Sequence, residues 1–337
     1  MSSFSPRTIF PTLQNLPRSY FLGHHAKGLS QMKRMLSQVD LIIECRDYRV
    51  PITSQNPLFE ESLGAKPRLI VYTKKDLGSS GRPGEAKHEK IISEWHKPDP
   101  CIFLSNQERT DIQSVLRFAR SFTSSSTSIT GSRMMVVGMP NVGKSTLLNA
   151  LRNVSLGKGK AAKTGDQPGV TRKVSSSVKI IEGSASGFDT VYLLDTPGVF
   201  VPYVPDAEAM LKLAMCGSVK DSVIPYGTLA DYCLYRVNLH DPTVYSAYHE
   251  PTNNVLDLLD GVARATGRLQ KGGKPDLEAS ALWFLQQWRT GKMGRFVLDQ
   301  VSEEDLKKRK EEGLGRISFH QALKRAKEDR KKTEAVR

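Results

Sequence analysis

A nine-residue motif near the middle of the chain has the residue types and spacing of a phosphate-binding loop. It reads Gly138-Met-Pro-Asn-Val-Gly143-Lys144-Ser145-Thr146. The apolar, β-branched run 133–137 predicts a buried strand before it, and residues 146–151 predict a helix after it, the context that this motif requires. Lys144 should bridge two neighbouring phosphates, and Ser145 should bind Mg²⁺. The residues expected to surround the phosphates are Asn141, Val142, Gly143, Lys144, Ser145 and Thr146.

Two further elements downstream have the residue types that respond to a terminal phosphate. Asp195-Thr-Pro-Gly198 follows the predicted strand 191–194. We expect Asp195 to act on Mg²⁺ through a bound water and the Gly198 N–H to contact the γ-phosphate. Between the two motifs, residues 157–172 are rich in Gly and Lys, and this composition predicts a segment that is mobile without a ligand. Thr171 is the expected Mg²⁺ ligand and γ-phosphate sensor there, and an ordinary loop threonine is the alternative.

A guanine-recognition loop is predicted upstream of these motifs, at Thr73-Lys74-Lys75-Asp76. It follows the predicted strand 69–72, and open α/β sheets bind ligands at the carboxyl ends of their strands. Asp76 can accept hydrogen bonds from the guanine ring N–H and amine, and Lys74 can lay its stem along the base. Thr73 stands where Asn is usual, so one supporting hydrogen bond is lost or replaced. Ser105, after the predicted strand 101–104, is expected to contact the guanine carbonyl side through its backbone.

The order of these motifs determines the predicted fold. In ordinary small GTPases the guanine-recognition loop follows the phosphate loop, whereas here it precedes it. We therefore predict a circularly permuted P-loop GTPase domain of the α/β class, with a mostly parallel sheet, helices on both faces and GTP or GDP as ligand. A small helical domain should follow. The segment after the second switch would lead directly into that domain, which could then respond to the nucleotide.

One catalytic group is missing from the expected set. Ras-type enzymes orient the attacking water with a glutamine after the Asp-Thr-Pro-Gly position, but this chain has Val199. Another group must act, or intrinsic hydrolysis must be slow. Asn141, followed by a flexible first switch, resembles the arrangement in GTPases that bind K⁺ beside the phosphates, where the ion supplies charge. We take K⁺ activation, with Asn141 as a K⁺ ligand, as a hypothesis.

With these motifs in place, the chain resembles the YlqF-type circularly permuted GTPases, in particular their mitochondrial branch. The resemblance covers roughly residues 18–300 and includes Tyr20-Phe-Leu-Gly-His24-His25-Ala-Lys27. It implies that His24 takes part in hydrolysis when a ribosome is bound, so the implied catalytic set is His24, Lys144 and Thr171. Leu22 and His25 differ from the family pattern, so either histidine could be the active one, and a packing histidine pair is the alternative. Residues 40–51 also fit the family, and we expect Arg46, Asp47 and Arg49 to form structural ion pairs.

Charge and composition indicate a polyanionic partner. The chain has 337 residues, 39% of them hydrophobic, and a net charge of +14, and no stretch approaches the roughly 20 apolar residues of a membrane span. Residues 1–39 contain five basic and no acidic residues, a composition typical of a matrix-targeting segment.

The cysteines are scattered, which favours reduced thiols; they are Cys45, Cys101, Cys216 and Cys233.

The predicted organisation has four parts. Residues 1–19 form a basic targeting segment, 20–204 the GTPase domain, 205–300 a helical domain that binds the ribosome or its RNA, and 301–337 a charged tail. A solvated helix is the default interpretation of the tail, and an RNA or membrane-surface contact is the alternative. The latter would place the protein peripherally on the inner membrane.

The sequence and the resemblance together predict a mitochondrial assembly factor on the matrix side. We expect a monomeric GTPase with a low intrinsic rate that binds the large ribosomal subunit and its rRNA with GTP and is released on hydrolysis. RNA would be recognised through shape and backbone. Three rival interpretations stay open: a binding module in which GTP is only an occupancy signal, a cytosolic or bacterial homologue with the same chemistry, and a signalling GTPase that acts on proteins.

Overall fold

The computed structural model describes most of the chain. The described residues are 4–11, 13, 16–17, 20, 23–64, 66–81, 84–105, 107–124, 131–162, 165, 177–183, 190–201, 204, 206–305 and 307. Thr171, most of the first switch and almost all of the charged tail lie outside them, so those predictions stay untested.

A six-stranded sheet organises the first two thirds of the chain. Its strands are β1 (Leu41–Asp47), β2 (Arg68–Thr73), β3 (Cys101–Phe103), β4 (Ser132–Gly138), β5 (Val178–Ile181) and β6 (Val191–Asp195), in the spatial order β3-β2-β1-β4-β6-β5. Every neighbouring pair is parallel except β5 and β6. The chain therefore builds one half of the sheet outward from β1, then returns to β4 beside β1 and builds the other half. This layout confirms the predicted mostly parallel sheet.

Both faces of the sheet are buried. Alternate residues along a strand point to opposite faces, and on the central strand β4 both sets are apolar and buried over residues 134–137. On β4, Met134 and Val136 join one apolar cluster while Met135 and Val137 join another. Near-continuous apolar strands are the pattern that a parallel sheet with helices on both faces requires.

Ten α-helices complete the described architecture. They are α1 (Gly23–Met35), α2 (Pro57–Ser62), α3 (Lys75–Gly78), α4 (Glu85–His96), α5 (Arg109–Ser124), α6 (Lys144–Leu156), α7 (Ala207–Met215), α8 (Tyr226–His240), α9 (Val255–Thr266) and α10 (Leu277–Arg289). Three of the last four helices begin at a side-chain cap: Asp206 accepts from the Ala209 N–H, Asn254 from the Leu256 N–H and Asp276 from the Ala279 N–H. These caps satisfy backbone donors that have no partner inside the helix. The helices predicted at 206–215 and 277–285 are confirmed.

The helical region shares its core with the sheet. Phe284 and Trp288 of α10 belong to the same buried cluster as Val136 of β4 and Leu147 of α6. A second contact follows α10, where the Asp299 carboxylate accepts from the backbone N–H groups of Ile52 and Thr53 at 2.9 and 2.8 Å. The helices are thus packed directly on the part of the molecule that contains the sheet.

Part of the segment predicted to be a targeting sequence packs on α8. The Arg7 guanidinium contacts the Asp231 carboxylate at 2.6 Å, and the Phe10 ring meets the Tyr232 ring edge-on, with centroids 5.1 Å apart. The Tyr235 hydroxyl donates to the Thr8 carbonyl at 3.1 Å. These residues are therefore part of the described fold as well as of the predicted signal. No helix among the described residues combines the length and apolar character needed to cross a bilayer.

Candidate functional site

The predicted site residues meet at one edge of the sheet. Parallel strands place their carboxyl ends together, and the chain order reverses between β1 and β4, which is where open α/β sheets bind ligands. β2 ends at Thr73, β4 at Gly138 and β6 at Asp195. The guanine-recognition loop, the phosphate loop and the second switch therefore begin side by side.

The phosphate loop has the backbone that its sequence predicts. Gly138 has a φ of +151°, and a Cβ there would clash with the Cys45 carbonyl oxygen of the neighbouring strand. Asn141 adopts the left-handed region, with a φ of +57°, where Asn is favoured among residues other than Gly. Helix α6 then begins at Lys144, so its positive N-terminal end faces the loop. This geometry is suited to an anion.

Lys144 is buried at the centre of the loop. Only 6% of the residue is exposed. Its ammonium donates to the carbonyls of Gly138 at 3.2 Å and Met139 at 2.7 Å. Burial lowers the pKa of Lys144 to about 8, although the nearby Asp195 carboxylate acts in the opposite direction. A phosphate within reach would favour the charged form, so affinity for an anion is coupled to protonation of this residue.

Ser145 and Asp195 lie together, as expected of two groups that serve one metal ion. The Ser145 hydroxyl donates to the Asp195 carboxylate at 2.6 Å. Burial raises the pKa of Asp195, and this hydrogen bond and Lys144 act to lower it. A hydroxyl and a carboxylate are hard oxygen ligands, which fit Mg²⁺ completed by phosphate oxygens and water. The described part of the chain contains no cluster of three His, Cys, Asp or Glu side chains able to hold a metal by themselves.

Thr73, which stands where Asn is usual, makes hydrogen bonds of its own. Its hydroxyl lies 2.5 Å from the Val142 carbonyl and 3.2 Å from the Arg46 carbonyl, and it can donate to either. The Val142 contact joins the guanine-recognition loop to the phosphate loop. The supporting hydrogen bond that an Asn would make is therefore replaced by the bond from the Thr73 hydroxyl to the phosphate loop.

The other three residues of the guanine-recognition loop lie in different environments. Lys74 has a left-handed backbone, with a φ of +59°, and its ammonium donates to the Asn141 carbonyl. Asp76 is half-buried in the first turn of α3. Lys75 instead turns toward α4, where its ammonium contacts the Glu89 carboxylate at 2.9 Å.

Ser105 is buried after β3, and its backbone N–H donates to the Asp111 carboxylate at 2.9 Å. The backbone donor expected to face the base is thus engaged within the protein, and the neighbouring Asn106 lies outside the described residues. A contact between Ser105 and guanine stays a prediction.

Val199 has a structural role in the second switch. It is fully buried against Leu29 and Met32 of α1, and its N–H donates to the Gly138 carbonyl at 3.2 Å. Just before it, a Cβ on Gly198 would lie 2.5 Å from the Pro140 Cα, so the switch and the phosphate loop are in contact. The position where Ras-type enzymes have a glutamine is therefore an apolar anchor between the switch and α1.

The two histidines of α1 differ in environment. His24 is exposed, whereas His25 is 1% exposed and its ring is a neighbour of the Tyr20 and Phe200 rings, which also contact each other. Burial, together with the charges of His24 and Lys144, lowers the pKa of His25 to about 3. His25 is thus neutral at pH 7 and lies within electrostatic range of the phosphate-loop lysine. The exposed His24 ring meets the His25 ring edge-on, with centroids 4.1 Å apart.

The ion pairs expected of Arg46, Asp47 and Arg49 are confirmed, and Arg46 and Asp47 are part of β1. The Arg46 guanidinium contacts Glu44 at 2.7 Å, and the Arg49 guanidinium contacts Asp47 at 2.8 Å, all four side chains being buried. Asp47 also accepts from the Lys74 ammonium at 3.0 Å. The sequence prediction missed this link to the guanine-recognition loop. The available signal was the position of Asp47, at the carboxyl end of a central strand.

Comparison with protein families and relatives identifies similar chains. Residues 133–246 match the family model described as 50S ribosome-binding GTPase. The chain is 34% identical to mitochondrial GTPase 1 of Schizosaccharomyces pombe, over 86% of this chain and 92% of that one. It is 35% identical to mitochondrial ribosome-associated GTPase 1 of Bos taurus, over 87% of this chain and 92% of that one.

Solved structures with the same fold include YlqF of T. maritima in two forms. The GDP-bound form aligns with a TM-score of 0.52 and 23% identity, covering 80% of this chain and 98% of that one. The GNP-bound form aligns with a TM-score of 0.53 and 23% identity, covering 82% and 99%. At this identity the likeness concerns the fold, and it confirms the predicted permuted arrangement of the sheet.

Proposed function

Because this chain belongs to the mitochondrial GTPase 1 family, we propose that it is a GTPase that assists assembly of the large subunit of the mitochondrial ribosome. It binds the maturing particle and its rRNA with GTP and leaves after hydrolysis. The names of its relatives, which include a mitochondrial ribosome-associated GTPase of cattle, support this assignment.

One observation carries the nucleotide part of the proposal. Three predicted elements lie at one sheet edge and are joined by hydrogen bonds. Thr73 of the guanine-recognition loop donates to the Val142 carbonyl of the phosphate loop, and Ser145, next to Lys144, donates to the Asp195 carboxylate. Asp76 would accept from the guanine N–H groups, and Gly198 would donate to the γ-phosphate. Mg²⁺, when bound by Ser145 with Asp195 and Thr171, would neutralise charge on the phosphate oxygens.

We further propose that intrinsic hydrolysis is slow and that ribosome binding accelerates it. Val199 is apolar and buried, so it cannot orient a water. His24 is exposed on α1, and α1 packs on the second switch through Gly28, where a Cβ would meet Pro197 at 3.5 Å. A partner that contacts α1 could therefore position this histidine. The same valine favours the rival interpretation, in which GTP is only an occupancy signal.

Activation by K⁺ is a separate proposal. In the structure the Asn141 amide nitrogen donates to the Cys216 carbonyl at 3.5 Å. To bind the ion, the side chain would present its amide oxygen, the atom that can coordinate a cation, toward the phosphates. We expect K⁺ to raise GTP turnover by about 10- to 100-fold over Na⁺, because a charge beside the transferring phosphate stabilises the transition state. The test is turnover in the two salts at matched ionic strength, and equal rates would exclude the role.

The proposed RNA contact includes the basic face of α1. Lys27, Lys33 and Arg34 are exposed there, on the helix that packs on the second switch. Lysine and arginine contacts with phosphates supply most of the affinity of nonspecific nucleic-acid binding. We place the protein in the mitochondrial matrix as a monomer, with the tail 301–337 contacting RNA or the inner membrane surface.

Sedimentation with purified mitochondrial large subunits tests the partner. The wild type should pellet with subunits in a non-hydrolysable GTP analogue and much less in GDP. Lys27→Ala/Lys33→Ala should weaken the affinity for subunits by about 30-fold, from roughly 1 kcal/mol for each of the two lost phosphate contacts. Lys97→Ala/Lys179→Ala is the matched control, because it removes two lysines outside α1, one exposed and one half-buried, whose carboxylate partners lie close in sequence. Equal, low pelleting in every nucleotide would contradict the assignment.

A further inference from the structure

The Lys74 side chain is positioned by a buried carboxylate. Its ammonium donates to the Asp47 carboxylate at 3.0 Å and also to the Asn141 carbonyl of the phosphate loop. Asp47 is 1% exposed, so it cannot move to follow the lysine. The orientation of the Lys74 stem, which is expected to cover the base, therefore depends on where Asp47 is held.

Asp47 is in turn fixed by Arg49. The guanidinium donates through Nε to one carboxylate oxygen at 3.0 Å and through Nη2 to the other at 2.8 Å. Burial acts to raise the pKa of Asp47, but the Arg49 and Lys74 cations outweigh it and hold that pKa well below its usual range. Two-point contacts of this kind restrict orientation as well as distance. The pair behaves as one rigid unit at the end of β1.

Arg49 is itself covered by helix α10. Its guanidinium carbon lies 4.9 Å from the centre of the Trp288 ring, and Trp288 is 1% exposed. A cation over an indole face is attracted electrostatically, most strongly where water is excluded. The same loop is held from the following segment by the Leu298 N–H, which donates to the Arg49 carbonyl at 2.7 Å.

The next residue of α10 contacts the other side of the site. The Arg289 guanidinium donates to the carbonyls of Ala214 and Met215 at 2.8 Å each, at the end of α7, and pairs with Asp221 at 2.6 Å. Cys216, whose carbonyl lies near the Asn141 amide, follows directly. The end of α10 is thus linked to both the guanine-recognition loop and the phosphate loop.

We propose that Trp288 is a positioning residue for guanine-nucleotide binding, acting through Arg49 and Asp47 on Lys74. Because coupling between two sites is reciprocal, nucleotide binding also tightens the end of α10. The helical region therefore senses the base through this contact in addition to the second switch. The inference rests on guanine-nucleotide binding, which is one part of the proposed function.

Calorimetric titration with GDP tests the inference on full-length protein. Trp288→Phe should weaken GDP binding by about 3- to 10-fold, the range expected when one contact in a coupled network is reduced. Trp283→Phe is the matched control. Trp283 lies on the same helix, and the Arg268 guanidinium carbon lies 5.1 Å from the centre of its ring. It takes no part in the contacts between α10 and the nucleotide loops that are described above. Its affinity should stay within about 2-fold of the wild type, the scatter of additive, independent sites.

A Lys74→Ala background separates positioning from general destabilisation. If Trp288 acts through Lys74, Trp288→Phe should cause no further loss of affinity once Lys74 is removed. An equal loss with and without Lys74, or wild-type affinity in Trp288→Phe, would overturn the proposal. Absence of GDP binding in the wild type would overturn it together with the GTPase assignment, whereas failure to bind ribosomes would leave it intact.

Amide hydrogen exchange of the wild type gives a second test that needs no variant. GDP should slow exchange in the peptide that covers residues 284–291, as well as in the nucleotide loops. Slower exchange confined to the nucleotide loops would contradict the proposal, even if Trp288→Phe did not fold.

Discussion

Replacing Lys144 with Ala should lower the affinity for GTP by about 10²- to 10⁴-fold. The variant loses at least two charge-assisted hydrogen bonds to phosphate, each contributing about 1.5–3 kcal/mol, and about 1.4 kcal/mol corresponds to tenfold in affinity. The ammonium is buried among backbone carbonyls, with a pKa lowered to about 8. It is therefore placed for an anion rather than for the stability of the fold.

Calorimetric titration with GTP and Mg²⁺ measures this loss. Lys97→Ala, which removes an exposed lysine paired with Glu94 at the end of α4, should bind like the wild type. The thermal unfolding midpoints should show that both variants are folded at the temperature of the titration. A folded Lys144→Ala protein with affinity within about 3-fold of the wild type, less than a single hydrogen bond, would contradict the phosphate-loop assignment.

Replacing Asp76 with Asn should change base preference from guanine to xanthine. The carboxylate can accept from both the ring N–H and the amine of guanine, whereas the Asn amide would place a donor against that amine. Xanthine has a carbonyl there, which accepts from the new amide. We expect GDP affinity to fall by about 10²-fold or more, because the hydrogen bond to the amine is replaced by two opposed donors and the bond to the ring N–H loses its charged acceptor. Affinity for xanthosine diphosphate should rise.

Competition between labelled GDP and unlabelled GDP, xanthosine diphosphate and ADP measures the preference. ADP should remain a poor competitor in both proteins, which separates a change of specificity from a general loss of selectivity. A variant that still prefers GDP would place base recognition elsewhere, with Ser105 and its loop as the first alternative.

The sequence predicted the residues that act through local pattern. The phosphate loop, the strand before it and the helix after it follow from one motif and its flanks, and the structure has β4 and α6 there. The order of motifs also predicted the permuted sheet. Local patterns are informative in these cases because a continuous apolar run and the motif that follows it lie within a few neighbouring residues.

Contacts between distant segments could not be predicted in the same way. Nothing near Arg49 indicates that Trp288 will cover it, and nothing near Thr73 indicates a contact with Val142. Lys75 and Lys74 have the same side chain, yet one pairs with Glu89 on α4 and the other with Asp47 on β1. Such differences depend on side-chain direction in the assembled fold, which a single sequence does not specify.

Val199 stands where Ras-type enzymes have a water-orienting glutamine. The sequence revealed this difference, and the structure shows what the valine does instead. The missing glutamine indicated slow or assisted hydrolysis, but the packing of Val199 against α1 was not predictable. That packing connects the helix of His24 to the second switch. A partner on α1 and a γ-phosphate in the site would therefore act on the same contact.

GTP turnover with and without purified mitochondrial large ribosomal subunits tests the central claim most directly. In K⁺ buffer, subunits should raise the rate by about 10²-fold, the lower end of what a positioned proton-transfer group contributes. His24→Ala should keep the intrinsic rate and lose most of the stimulation. An unchanged rate with saturating subunits in the wild type would contradict a ribosome-stimulated GTPase and favour the module in which GTP is only an occupancy signal.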